Sequence, residues 1–185
     1  MATSKWIKNI DLSIELLFEE FSLHDKFVHV ANVIRTPATA KRKTVITFEP
    51  VIPKKEWAEK VSQWVYILTI DDRIVKIGGT RSGLKGRIVS YLSGHHTEDR
   101  GKSGKMSVTN ARLYNTLDHY IGSDRHIKMY AYRIPSVKVN VDIWGSTVQV
   151  EGQVYNAFES IAISTYHRKT GHNPQLSDNS DPTHR

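Results

Sequence analysis

The spacing of apolar residues predicts a mixed succession of strands and helices. Residues 10–22 place Ile14, Leu17, Phe18 and Phe21 at i, i+3, i+4 and i+7, with Glu15, Glu19 and Glu20 elsewhere on the surface, the pattern of an amphipathic helix. "FVHVANVI" and "TVITFEP" read as strands on either side of the basic loop "RTPATAKRK", and the Pro-bounded turn "EPVIPKK" leads into a short helix, "KEWAEKVSQ". The apolar runs 63–70 and 74–78 are joined by the tight polar turn Asp71-Asp72-Arg73 and form a hairpin. After "GTRSGLKG" the spacing becomes helical, with Leu84, Ile88, Tyr91 and Leu92 inward. Residues 93–107 are polar and Gly-rich and read as a loop. A helix over about 107–121 follows, with Leu113, Leu117, Tyr120 and Ile121 inward and Ser107 or Thr109 as its cap. "HIKMYAYRI" and "VKVNVDI" are strands, the second with Val137, Val139, Val141 and Ile143 on one face, and Trp144-Gly145-Ser146 turns the chain into "TVQVE". The last helix, about 153–168, carries Phe158, Ile161, Ala162 and Thr165 on one face and is stopped by Gly171, with Pro174 beyond.

This order implies an α/β or α+β class with a largely antiparallel sheet. A chain of 185 residues suits one domain with a core of its own. Its divisions are an N-terminal extension (1–62), a main domain (63–177) with an insertion at about 93–150, and a polar tail (178–185). The absence of cysteine excludes a disulfide framework and a thiolate metal site, and fits a reducing compartment. Asp11, Glu15, Glu19 and Glu20 break up the apolar residues near the start, so no signal peptide is expected there. No run of 18 apolar residues occurs, so no membrane partner is expected either. The formal net charge of +7 and pI of about 9.5 suit a polyanion partner, nucleic acid first, and equally a soluble protein that is merely basic.

Strand alternation gives the hairpin a chemical face. Tyr66 lies opposite in sense to Val65 and Ile67, and Lys76 opposite to Val75 and Ile77, so a tight hairpin lets Tyr66 and Lys76 share one side. The following helix presents Arg87 and Tyr91 at i and i+4. A phenol, an ammonium and a guanidinium together make a site for an anion, phosphate first.

These residues resemble the GIY-YIG nuclease family. "VYI" (65–67) stands for its first strand motif and "KIG" (76–78) for its second; Tyr66 to Lys76 and Lys76 to Arg87 have the family's spacing. "FESIAISTYHRKTGHNP" resembles the later helix that supplies a metal-binding glutamate, here Glu159. Lysine replaces the usual tyrosine of the second motif, as in restriction-type members. The resemblance implies a GIY-YIG fold, a small central antiparallel sheet flanked by helices, and metal-dependent cleavage of DNA. It makes Tyr66 the proton acceptor with its pKa lowered by the neighbouring cations, Arg87 the grip on the phosphate, and Glu159 the anchor of Mg²⁺ or a similar divalent cation such as Mn²⁺. Tyr91 stands where the family often has histidine, and Ser177, with Asn173 and Asn179 nearby, where it has asparagine. It further implies double-stranded DNA as partner, a homodimer on palindromic sites, and the cytoplasm of a prokaryotic or phage-infected cell.

Competing readings are available for each feature. Glu151, at a strand end, competes with Glu159 for the metal. "KIGGTRSGLKGR" lacks the GK[ST] ending of a nucleotide loop, and "GHH" (94–96) is more simply a solvated pair than a zinc site. Cations outside the core suit phosphate contact: Lys41, Arg42 and Lys43; Arg81 and Lys85; Arg100, Lys102 and Lys105. Asn110, Arg112 and Asn115 on the 107–121 helix are candidate base readers. The whole set also fits a weakly specific phage or mobile-element nuclease, or a non-catalytic DNA binder on the same fold.

Overall fold

The computed structural model of the chain describes residues 6–37, 39, 44–94 and 108–177. In chain order its elements are β1 (Val28–Arg35), β2 (Ile46–Pro50), α1 (Lys54–Trp57), β3 (Trp64–Ile70), β4 (Arg73–Thr80), α2 (Gly83–Leu92), α3 (Val108–Ile121), β5 (Ile127–Arg133), β6 (Lys138–Ile143), β7 (Ser146–Glu151) and α4 (Tyr155–Thr170). Five strands form one sheet in the order β2-β1-β5-β3-β4, each neighbouring pair antiparallel, so β1 and β2 extend the sheet that holds the central hairpin. β6 and β7 form a separate two-stranded ribbon. The class is mixed α+β. Among the described residues no helix is long and apolar enough to cross a membrane.

β3 explains the layering. Every residue of "WVYILTI" is buried, so both faces of the sheet must be covered. Tyr66, Leu68 and Ile70 enter one core with Leu84, Ile88 and Tyr91 of α2 and Leu113 and Leu117 of α3. Val65 and Ile67 enter a second core with Ile163 and Tyr166 of α4 and with Phe18 and Phe21. The β3–β4 turn is Asp71-Asp72, both at positive φ (47° and 60°), the twist-matched geometry of a two-residue hairpin loop that aspartate tolerates. Asp71 is fixed there by Arg125 at 2.6 Å and by the His126 amide at 2.9 Å.

The hairpin is irregular in one place. Its register shifts between Leu68, opposite Lys76, and Thr69, opposite Ile74, so Val75 is an extra residue. Val75 therefore joins the α2/α3 core while Ile77 joins the α4 core, whereas strict alternation put the two on one face. The bulge keeps Lys76 beside Leu68, on the Tyr66 side of the sheet.

Two further expectations are corrected. Residues 10–22 form no α-helix; they hold one 3-10 turn, Phe18–Glu20. Their backbone is engaged by β4 instead: Phe18 N–H donates to the Asp72 carbonyl at 2.8 Å and Ile74 N–H to the Leu16 carbonyl at 2.9 Å. Edge pairing outcompetes helix formation, leaving Ile14 half exposed and Glu15 buried. On α4 the buried face is Ala162, Ile163 and Tyr166, and Ile161 is 59% exposed. The valines that alternate along β6 lie on a face that is exposed.

The edge of β4 is closed by two segments. Leu16 and Phe18 cover its start. The segment 174–177 covers its middle, with Leu176 N–H donating to the Val75 carbonyl at 2.8 Å, Ile77 N–H to Ser177 Oγ at 2.9 Å, and Ser177 Oγ to the Ile77 carbonyl at 3.0 Å. Glu15 joins the two covers: Oε1 accepts from the Gln175 amide at 3.0 Å, and Oε2 from the Tyr166 hydroxyl. An edge strand covered in this way is no template for another chain.

Candidate active site beside two edge glycines

Past Ile77, β4 continues as Gly78-Gly79. Glycine inside a strand often marks a close approach, and both positions have one. Gly78 lies opposite Tyr66 in the register, and a Cβ there would overlap the Tyr66 hydroxyl. A Cβ on Gly79 would lie 2.7 Å from Tyr155 Cδ2 and 2.8 Å from Glu159 Oε2. The two missing side chains let a phenol from the α2/α3 side and a carboxylate from α4 approach adjacent residues of the strand.

α2 supplies the rest of the corner. Arg87 Nε donates to Tyr66 Oη at 3.1 Å, the Arg87 guanidinium lies 4.5 Å from the centre of the Tyr91 ring, and the Tyr66 and Tyr91 hydroxyls share a hydrogen bond. The two rings meet edge to face at 6.2 Å and 76°. Both tyrosines are buried and Arg87 half-buried. The helical i, i+4 spacing of Arg87 and Tyr91 puts both against the one strand residue, Tyr66.

The electrostatics follow from burial. Desolvation pushes the Tyr66 pKa up; Arg87 and the Tyr91 hydrogen bond pull it down without offsetting this, and the Glu159 charge adds to the rise. Burial likewise holds Tyr91 well above the usual phenol range, reinforced by Tyr66. For Arg87 burial alone lowers the pKa, but the two phenols outweigh it and raise it, so the guanidinium stays charged. The expected lowering of Tyr66 by its cations is therefore reversed in the substrate-free chain, where it is a neutral phenol.

Lys76 is buried, and its ammonium donates to the Leu176 carbonyl at 2.8 Å. Ser177 is bonded to β4 through its hydroxyl, as given above, and so closes the sheet edge. Asn173 is exposed, its carbonyl 2.9 Å from His172 Nδ1. Glu151 is exposed and accepts from Ser136 at 3.1 Å at the base of the ribbon. Arg81 donates to Gln153 at 2.8 Å, and Lys85 is exposed on α2. On α3, Asn110 donates to Ser90 at 3.1 Å and Asn115 to the Ala111 carbonyl at 2.8 Å, while Arg112 lines a small cleft with Leu176. Lys41, Arg42, Lys43, Arg100, Lys102, Lys105, His95, His96, Ser107 and Asn179 lie outside the described residues.

No group of three or more His, Asp or Glu suited to a metal ion occurs among the described residues. The donor set is one half-buried carboxylate, Glu159, beside a bare glycine backbone. That fits a hard divalent cation that takes its remaining oxygens from water and substrate, and does not fit a protein-caged metal. Sequence reasoning missed Tyr155, which lies over Gly79, and Glu15 with its partners across the closed edge. The glycine pair inside an apolar strand was the available signal for the first.

No family model matches the chain, and no curated protein matches it. Among solved structures it is similar to the restriction endonuclease HPY188I in complex with product DNA, at TM-score 0.57 and 20% identity over 94% of this chain and 95% of that one. It is also similar to a mutant of bacteriophage T4 EndoII, at TM-score 0.51 and 15% identity over 80% of this chain and 94% of that one. At these identities the likeness is one of fold.

Proposed function

We propose that the chain is a metal-dependent DNA endonuclease of the GIY-YIG type, acting on double-stranded DNA as a sequence-specific restriction enzyme. The observation that carries this is the convergence of Tyr66, Arg87, Tyr91 and Glu159 on Gly78-Gly79. The two similar structures, both of endonucleases, support it through the fold, and Lys76 in place of tyrosine supports the restriction-type reading.

Hydrolysis adds water to phosphorus and breaks the bond to the 3′ oxygen. The water must lose a proton and the leaving oxygen must gain one. Arg87, held charged between two phenols, grips the scissile phosphate with its planar fork and opposes the charge that builds up there. Tyr66, neutral before reaction, works as a relay: its oxygen takes the water's proton as its own proton is lost to bulk solvent, and solvent water gives a proton to the leaving 3′ oxygen. Arg87 Nε stays on that oxygen and stabilises its transient negative character. Lys76 adds positive charge on the same side of the sheet. Glu159 would hold a divalent cation, Mg²⁺ or Mn²⁺, which would supply Lewis-acid stabilisation of the charge that develops during cleavage.

The test is incubation of supercoiled plasmid with Mg²⁺ and with EDTA. Discrete fragments in Mg²⁺ alone are expected. A smear would mean cleavage without sequence specificity. An intact plasmid with a retained gel shift would mean a binding protein, and would overturn the enzymatic reading.

A further inference from the structure

The helix that carries Glu159 begins without a cap of its own. Val154 at the N-cap of α4 has no side-chain oxygen, and the first turn holds no acidic residue. The free N–H groups at a helix start need partners, and here the partner comes from the far side of the sequence. Gln63, the residue before β3, accepts through Oε1 from the Val154 N–H at 2.8 Å and from the Tyr155 N–H at 3.1 Å. Its Nε2 donates to the Gly152 carbonyl at 2.8 Å. These partners fix the orientation of the amide, since two N–H groups demand the oxygen and a carbonyl demands the nitrogen. Gln63 is buried, and its own carbonyl accepts from the Ile134 N–H at 2.9 Å, just past the end of β5. The cap is therefore part of the sheet.

The residue before it serves α2. The Ser62 carbonyl accepts from the Gly83 N–H at 3.1 Å, where α2 starts. Two adjacent residues at the head of β3 thus seat the first turns of both helices that meet at Gly78-Gly79: α2 with Arg87 and Tyr91, α4 with Tyr155 and Glu159. For α4 this seat has a chemical consequence. Its buried residues, Ala162, Ile163 and Tyr166, all lie beyond Glu159, whereas Tyr155 and Phe158 are only partly buried. Core packing fixes the later turns, and helix ends held by few buried contacts open first. Tyr155, whose amide Gln63 holds, lays its ring on Gly79, and Glu159 at i+4 brings its carboxylate to the same glycine.

We propose that Gln63 is a positioning residue for cleavage: by holding the Val154 and Tyr155 amides it sets where the Glu159 carboxylate stands on Gly79 relative to Arg87. The effect on cleavage rests on the nuclease reading; the seating of the helix does not. Groups that orient a metal-binding carboxylate act on metal affinity, so the metal requirement should change and the affinity for DNA should not.

Amide hydrogen exchange of the full chain, followed by NMR, tests the seating without DNA or metal. Gln63→Met keeps the length of the side chain and removes all three hydrogen bonds. The Val154 and Tyr155 amides should then exchange several-fold faster, beyond any change at the Ile67 amide in β3. Single-turnover cleavage across a Mg²⁺ series tests the consequence. In Gln63→Met the half-saturating Mg²⁺ concentration should rise about tenfold or more, with DNA affinity in EDTA unchanged by gel shift. Gln63→Glu keeps an oxygen facing the two amides at the positive end of the helix, and should restore most of the wild-type Mg²⁺ requirement. A merely structural role would lower the rate at every Mg²⁺ concentration and leave the midpoint in place. Unchanged exchange at Val154 and Tyr155 overturns the seating. An unmoved Mg²⁺ midpoint, or a Gln63→Glu variant no better than Gln63→Met, overturns the positioning. If the wild-type chain cuts no DNA, the nuclease reading fails and takes the positioning with it, while the exchange result still decides the seating.

Discussion

The chain contains two hairpins built on the same local rule. β3–β4 turns on Asp71-Asp72 and β6–β7 on Trp144-Gly145, each a two-residue loop with both residues at positive φ. Their surroundings are opposite. Every residue of β3 is buried, while every residue of β6 is exposed. Turn geometry sets only the register; the composition of the two faces sets whether a ribbon becomes the middle of a domain. β3 is apolar on both faces and needs a layer on each. β6 is apolar on one face and has Lys138, Asn140 and Asp142 on the other, so one partner suffices and it stands away from the sheet. The first hairpin is enclosed by the fold, and the second leaves an apolar face open.

The sharpest way to break this division is through the two carboxylates. Glu159 lies over the first hairpin at Gly79, and Glu151 ends the second. Glu159→Gln is expected to abolish cleavage while a gel shift shows DNA binding intact, because it removes the only fixed protein anchor assigned to the metal. Glu151→Gln is expected to cut at nearly the wild-type rate. The opposite pattern in a single-turnover assay would assign the metal to the ribbon base and undo the division of labour.

Tyr66→Phe should come next in size. It preserves the ring that packs on Gly78 and deletes the oxygen that Arg87 and Tyr91 bond. A fall of roughly 10²–10⁴ in the single-turnover rate is expected, the span for a lost acid–base group, with little change in the urea midpoint. Rapid-quench cleavage at saturating protein is the measurement, and a near-wild-type rate would reduce Tyr66 to a packing residue.

The difference can also be read as stability. Ile67 is fully buried in β3, and Ile67→Ala should cost about 2–5 kcal/mol through lost burial and the cavity left behind. Val141→Ala on the ribbon should stay within about 0.5 kcal/mol when unfolding is followed in the dilute, monomeric regime. Urea titrations at two protein concentrations separate this from any dimer contribution. A ribbon variant as costly as the β3 variant would mean that the ribbon is packed on its own chain.

What could be read in the sequence divides along the same line. The β3–β4 hairpin, α2, and the meeting of Tyr66 with Arg87 and Tyr91 follow from periods of two and 3.6 over some 25 residues, where local geometry suffices. The residues that failed answer to distant partners. Segment 10–22 has a helical pattern, but its backbone pairs with Asp72 and Ile74. Glu15 reads as a surface acid because its partners, Tyr166 and Gln175, lie more than 150 residues away. The bulge at Val75 is invisible to alternation because one extra residue leaves the apolar run unbroken. Alternation puts the β6 valines on one face, and it reports that the face is apolar, not whether anything of the same chain reaches it.

The smallest expected effect concerns pH. Tyr66 and Tyr91 are both shifted upward, with burial the leading cause. Below pH about 10, the ordinary phenol value, these groups are protonated folded or unfolded, and their contribution to stability is fully present. Above it the unfolded chain releases protons that the folded chain keeps. Stability therefore falls as the pH rises, continuing until the folded pKa values are passed. Tyr91→Phe removes one such group while keeping the ring, and should make the alkaline loss shallower by up to about 1.4 kcal/mol per pH unit, the limit for a single proton. The ribbon contains no tyrosine, so Asn140→Ala on it should leave the slope as it is. Urea midpoints between pH 8 and pH 11 test this. If Tyr91→Phe and wild type decline in parallel, burial does not keep that phenol protonated, and the neutral relay assigned to Tyr66 loses its electrostatic basis.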